Sequence, residues 1–106
     1  MIARTWHGIV PTHKADAYYA HLLRTGIPDY QAIPGNRGVQ VLRRQEGDRT
    51  HYLLISWWES YDAIRAFAGD AIELARYYPD DSAYLLELEP TVTHYEVLGL
   101  PGGANT

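Results

Sequence analysis

An α+β fold built on one antiparallel sheet is predicted by three observations. The chain holds runs of alternating β-branched and aromatic residues, stretches of helical apolar spacing lie between them, and 106 residues suffice for one core but not two. Ile2 to Val10 is β-branched and aromatic and closes at Pro11, which cannot donate to a ladder, so it reads as the first strand. Thr12 is placed to cap a helix whose apolar positions Ala15, Tyr18, Tyr19, Leu22 and Leu23 recur at three-and-four spacing, with Gly26 and Pro28 ending it. After a turn at Pro34, Gly35 and Asn36, residues Gly38 to Glu46 and Thr50 to Trp58 form a hairpin around Gly47, Asp48 and Arg49. Ser60 is a good N-cap for a second helix, with Asp62 in its first turn, Ile64, Phe67 and Ala68 on one side, and Gly69 at its end.

Asp70 is expected to cap a further short helix carrying Ile72, Ala75 and Tyr78, stopped by Pro79. Tyr84 to Leu98 reads as extended, interrupted at Pro90, with Thr91 to Val97 as the last strand. The order is β-α-β-β-α-β, the split βαβ or ferredoxin-like arrangement. The expected domain covers residues 1–98, and 99–106, small and polar, are expected to form a flexible C-terminal tail.

Two helices cover one face of a four-stranded sheet, so a monomer should place polar residues at alternate positions on the other. These strands do not. Leu53, Ile55 and Trp57 point one way and Leu54 and Trp58 the other, while the first strand sets Ile2, Trp6 and Val10 against Ala3 and Ile9. Both faces call for burial, and a second copy's sheet stacked on the open face supplies it.

Nine basic against thirteen acidic residues give a formal charge of -4 with no Lys/Arg cluster beyond Arg43 and Arg44, which argues against nucleic acid as a partner. With no cysteine there is no disulfide, thiolate metal site or cysteine nucleophile. No stretch reads as a signal peptide or a bilayer span, so a cytoplasmic protein without membrane contact is expected. The histidines lack the close spacing of common metal motifs, and no His-Glu-x-x-His, Gly-x-Ser-x-Gly or phosphate-cradling Gly-Lys-Ser/Thr sequence occurs, so no metal site is expected. Glu87 and Glu89 read as a solvated face, as do His13, His21 and His51.

The opening Ile2-Ala3-Arg4-Thr5-Trp6-His7-Gly8, the junction Ser56-Trp57-Trp58-Glu59-Ser60 leading to Ala63, Ile64 and Phe67, and the ending His94-Tyr95-Glu96-Val97 resemble the antibiotic biosynthesis monooxygenase superfamily over nearly the whole chain. The resemblance implies a homodimeric α/β barrel with one pocket per subunit between sheet and helices. It further implies oxidation of aromatic polyketides or quinols by molecular oxygen without flavin or metal, or else degradation of haem. The haem-degrading branch uses an Asn in strand one, a Trp late in the second helix and a His in the helix after it. Aligned on the Trp-Glu-Ser junction, this chain has Thr5, Phe67 and Arg76 at those places, so that branch's mechanism is not expected.

Cofactor-free oxidation of an electron-rich phenol needs a group that takes the phenolic proton and a pocket that excludes water. His7 in strand one and His94 in strand four are the candidate bases, and Tyr52, Trp58, Phe67, Arg76 and Tyr77 the candidate substrate contacts. Arg76 suits a phenolate or carboxylate. Of Trp57 and Trp58, one should face the helices and the other the partner, and the sequence leaves open which. Two functions fit: a monooxygenase acting on an aromatic or quinol-like molecule with no bound cofactor, and a non-catalytic ligand-binding or regulatory barrel.

Overall fold

The strand β1 (Ile2–Pro11) runs antiparallel to β3 (Arg49–Trp58) along its whole length and to β4 (Thr93–Glu96) over Ile2 to Thr5, and β2 (Asn36–Glu46) completes the sheet on the far side of β3. The resulting order, β2-β3-β1-β4, is that of the ferredoxin-like α+β fold. The structure is a computed structural model and describes residues 1–99. The expected tail therefore lies, but for Gly99, outside the described residues.

Burial alternates along both central strands as a half-covered sheet requires. Ile2, Arg4, Trp6 and Val10 of β1 share the covered face with Tyr52, Leu54, Ser56 and Trp58 of β3, in register pairs such as Trp6 with Leu54. Trp58 is thus the tryptophan that faces the helices, and Trp57, half-buried, lies on the open face. Gly8 also faces the covered side. A Cβ there would lie 2.3 Å from the Trp6 ring and 2.9 Å from Leu85, so glycine at this place lets the indole lie across its own strand.

The first helical stretch departs from the expected single helix. A short 3₁₀ turn over Thr12–Lys14 precedes α1 (Ala15–Arg24), and Thr12, instead of capping, bonds through its hydroxyl to Thr50 at 2.9 Å. Thr25 breaks the helix with ψ -89°, and α2 (Gly26–Ala32) follows at once. Gly26 and Pro28 therefore begin a helix, because a proline in the first turn gives up an N–H that has no intrahelical acceptor anyway. Ala15, Tyr18 and Leu22 are buried as the spacing predicts, but Tyr19 and Leu23 are exposed and His21 takes the buried place.

The next helix, α3 (Tyr61–Ala68), matches expectation: Ser60 accepts a hydrogen bond from the Ala63 N–H at its start, and Gly69 closes it at φ 85°. The expected helix after Asp70 does not form. Its backbone is taken by other partners: Leu74 bridges Thr91, the Ala75 N–H donates to the Pro90 carbonyl, and Arg4 donates to the Leu74 carbonyl. Residues Tyr84 to Pro90 are likewise not a strand. They pass along the end of β1 that β4 leaves free, where the Leu86 N–H donates to the Ile9 carbonyl, and this closes an otherwise open sheet edge.

Candidate functional site

Between the sheet and the helices lies a recess walled mostly by rings. β1 supplies Arg4 and Trp6, α1 supplies Tyr18, α2 Tyr30 and α3 Phe67. The irregular stretch after α3 closes it with Arg76, Tyr77 and Tyr78, and Asp81 stands at its edge. The free volume is about 30 Å³, room for a water molecule but not for an aromatic substrate.

The rings hold one another in edge and tilted contacts. Tyr30 stacks on Phe67 at 4.4 Å between centroids, and Trp6 meets Tyr77 edge-on at 6.2 Å. The guanidinium of Arg76 sits 5.0 Å from the Phe67 centroid and that of Arg4 5.5 Å from it. Trp6 Nε1 donates to the Tyr77 hydroxyl at 3.1 Å, and that hydroxyl donates to the Glu89 carbonyl at 2.5 Å. The Tyr78 hydroxyl donates to Asp29, whose carboxylate also lies 3.5 Å from Arg76. Burial pushes the hydroxyls of Tyr18, Tyr30, Tyr77 and Tyr78 above the ordinary phenol range, so each is a neutral donor at neutral pH.

Of the expected contact residues, Phe67, Arg76 and Tyr77 line this recess. Tyr52 and Trp58 lie beneath it in the core. Each is 0% exposed, with the Tyr52 hydroxyl donating to the Ala15 carbonyl and Trp58 Nε1 to the Ser56 hydroxyl. Neither expected base lines it. His94 is paired with Arg4 across the β1–β4 ladder and meets Tyr61 edge-on, while His7 is on the open face of the sheet. Strands one and four are adjacent, but the two histidines do not meet.

His7 instead belongs to a chain of four side chains. Its Nδ1 lies 2.6 Å from a Glu89 carboxylate oxygen, its Nε2 lies 3.0 Å from His51 Nδ1, and His51 Nε2 lies 3.3 Å from a Glu46 carboxylate oxygen. Glu89 and His51 are therefore engaged with each other's neighbours and are not the independent solvated groups expected. This chain borders a cleft of about 310 Å³ on the open face, flanked by Leu42, Leu53, Arg43 and Arg44. Among the described residues no group of three acidic or histidine side chains is placed to hold a metal ion, and no helix is long and apolar enough to cross a membrane.

Arg4, Trp6 and Tyr18 reach the recess without having been singled out as site residues, and so does Asp81. The last is buried with His21, whose Nε2 donates to Asp81 Oδ1 at 2.6 Å, while the Tyr78 N–H donates to Oδ2. His21, expected to be solvated, is 4% exposed, because three residues from Tyr18 it falls on the buried stripe of α1. Nothing local marks Asp81.

His94 carries a checkable pH dependence. Burial and the neighbouring Arg4 hold its pKa below the usual 6.5, so the folded chain resists protonation that the unfolded chain accepts. Its contribution to stability is complete above that value and is lost as pH falls through it. Urea midpoints at about pH 7.5 and 5.5 should therefore differ more for the wild type than for His94→Gln; equal differences would remove His94 as the cause.

A four-stranded antiparallel sheet with helices on one side and a small aromatic recess between them defines a small protein of the ferredoxin-like α+β class. The family model for antibiotic biosynthesis monooxygenases matches residues 10–72, and the chain belongs to that family. Among solved structures it is similar to a Nitrosomonas europaea protein provisionally assigned as an antibiotic biosynthesis monooxygenase, with a TM-score of 0.65 and 19% identity, covering 92% of this chain and 99% of that one. The haem-degrader MhuD of Mycobacterium tuberculosis, solved with two haems in its active site, gives 0.63 at 19% identity, covering 96% and 100%. SnoaB, a cofactor-independent oxygenase from Streptomyces nogalater, gives 0.61 at 16%, covering 96% and 99%. These likenesses establish the shared fold. No curated protein sequence matches significantly.

The haem-branch positions can now be placed. Phe67 and Arg76 stand in the recess, but Thr5 faces the other side of the sheet and donates to the Thr93 carbonyl. From β1 it is Arg4 and Trp6 that turn inwards, and no histidine lines the walls.

Proposed function

We propose that the recess binds a small phenol or quinol and that the protein oxidises it with molecular oxygen, without flavin or metal. The observation that carries this reading is the aromatic enclosure with Arg76 at its wall, in a chain of the monooxygenase family. The rings offer flat apolar contact to a planar substrate, and the guanidinium favours the phenolate over the phenol. Loss of the proton lets the ring pass an electron to oxygen. One oxygen atom then ends on a ring carbon, and the other leaves as water with the hydrogens of that C–H and the hydroxyl, giving a quinone.

Within this reading the base is Asp81, the carboxylate at the recess, held by His21 behind it. His7 and His94 stand outside the enclosure. Admission of a substrate requires the wall formed by residues 70–80 to move, and Gly69, at φ 85°, is the pivot between that wall and α3. Oxygen uptake with a panel of naphthols and hydroquinones, on protein stripped of metal, tests the proposal. Asp81→Asn should stay folded by circular dichroism and lose about a hundredfold in turnover, with His7→Ala and His94→Ala retaining most of it. The reverse pattern would transfer the base to a histidine. A sharp Soret band with haemin that decays under reductant would favour haem as substrate.

Binding without turnover is favoured by one observation, the small resting volume. Saturable binding of the panel with no oxygen uptake would select it.

The open face supports a homodimer. Leu42, Leu53 and Tyr95 are exposed there beside half-buried Ile55 and Trp57, a run of apolar surface that a second copy would cover. Light scattering at low concentration should give twice the 12.0 kDa chain mass; a monomer would refute the pairing.

A further inference from the structure

Arg4 is a buried cation with no counter-ion. Its residue is 2% exposed, no carboxylate among the described residues lies within ion-pair distance, and Nε is buried without a hydrogen-bond partner. Of its five N–H donors, one on Nη2 reaches the Leu74 carbonyl at 3.1 Å, the Tyr30 hydroxyl lies beside the guanidinium as a neutral partner, and Nε has none. An arginine remains charged at neutral pH, and enclosing one without an anion is unfavourable.

The nearby carboxylates do not relieve it. Asp81 is held by His21 and the Tyr78 N–H, each at 2.6 Å. Asp29 takes the Tyr78 hydroxyl and lies beside Arg76. The recess therefore presents two guanidiniums near one ring, that of Phe67, with its acids already engaged.

We propose that the ligand of this recess is an aromatic oxyanion whose charged oxygen is received by the unpaired donors of Arg4, with its ring against Phe67 and Tyr30. This rests on the reading of the recess as the substrate site and narrows the substrate class to molecules carrying a carboxylate or phenolate. The anion supplies the charge the fold leaves out.

Calorimetric titration of the full chain with benzoate, 4-nitrophenolate and the neutral isostere benzamide tests it. Benzoate or 4-nitrophenolate should bind at least about tenfold tighter than benzamide, as a charge-assisted hydrogen bond implies, and the tighter of the two names the oxyanion. Arg4→Met should abolish that preference, so that the anions and benzamide bind alike, and should melt at the same temperature as the wild type or higher, because an uncompensated buried charge has gone. Arg4→Lys keeps the charge and should keep part of the preference, which guards against a fold defect in the methionine variant.

Equal binding of benzamide and the anions by the wild type overturns the oxyanion class and leaves the recess standing as a site. A lower melting temperature in Arg4→Met with the preference intact makes Arg4 a structural tie to Leu74 and overturns the assignment. Failure of all three probes to bind overturns the recess as a site for small aromatics, and this inference with it.

Discussion

Trp58→Ala will lower the free energy of unfolding by about 3–5 kcal/mol, the range for removing a large buried ring. Trp58 is 0% exposed, meets Tyr30 edge-on at 6.1 Å and Phe67 at 5.7 Å, and donates from Nε1 to the Ser56 hydroxyl at 2.8 Å. The vacated space lies among ladder-bonded strands and a helix, which cannot close over it, so a cavity cost adds to the lost transfer energy. A domain of this size has about 5–15 kcal/mol in total, so much of it goes. Guanidinium denaturation followed by circular dichroism measures the change. Trp58→Phe should lose less, since it keeps a ring and forfeits the hydrogen bond to Ser56. A loss under about 1 kcal/mol for the alanine variant would show that this region repacks.

The second large effect concerns the His21–Asp81 pair, with side chains 5% and 7% exposed. Asp81→Ala leaves His21 and the Tyr78 N–H buried without their acceptor and should cost about 3–5 kcal/mol. Replacing both partners, as His21→Leu with Asp81→Leu, should recover part of that loss, because His21 is then no longer left alone, while the Tyr78 N–H still lacks the acceptor it has in Asp81. The double-mutant cycle reads the coupling directly. Additive losses would mean that the two side chains act independently despite their 2.6 Å contact.

The sheet and α3 were legible because their signals are local. Period-two burial in β1 and β3, the Gly47 turn, the Ser60 cap and Gly69 each act within a few residues. The two-helix break at Thr25 was misread because glycine and proline punctuate both ends of helices, and position alone does not say which. The stretch after Asp70 was misread for a different reason. Its helical spacing is real, but long-range bonds from Arg4, Pro90 and Thr91 hold its backbone elsewhere.

The recess was half legible for the same reasons. Phe67 lies in α3, where the junction motif pointed to it, and Arg76 and Tyr77 follow within ten residues. Arg4 has no local signal that separates it from a solvated charge, and Asp81 becomes a site residue only through contact with His21, sixty positions away in sequence.

The small resting volume has a consequence for how any ligand would be measured. If the recess holds about 30 Å³ when closed, only molecules whose wall has already parted can accept an aromatic ring. The apparent dissociation constant then exceeds the intrinsic one by the reciprocal of the parted fraction, so weak binding in solution is compatible with a well-matched site. Loosening the tie between Leu74 and Arg4, or between Ala75 and Pro90, would raise that fraction and tighten binding without adding a contact to the ligand.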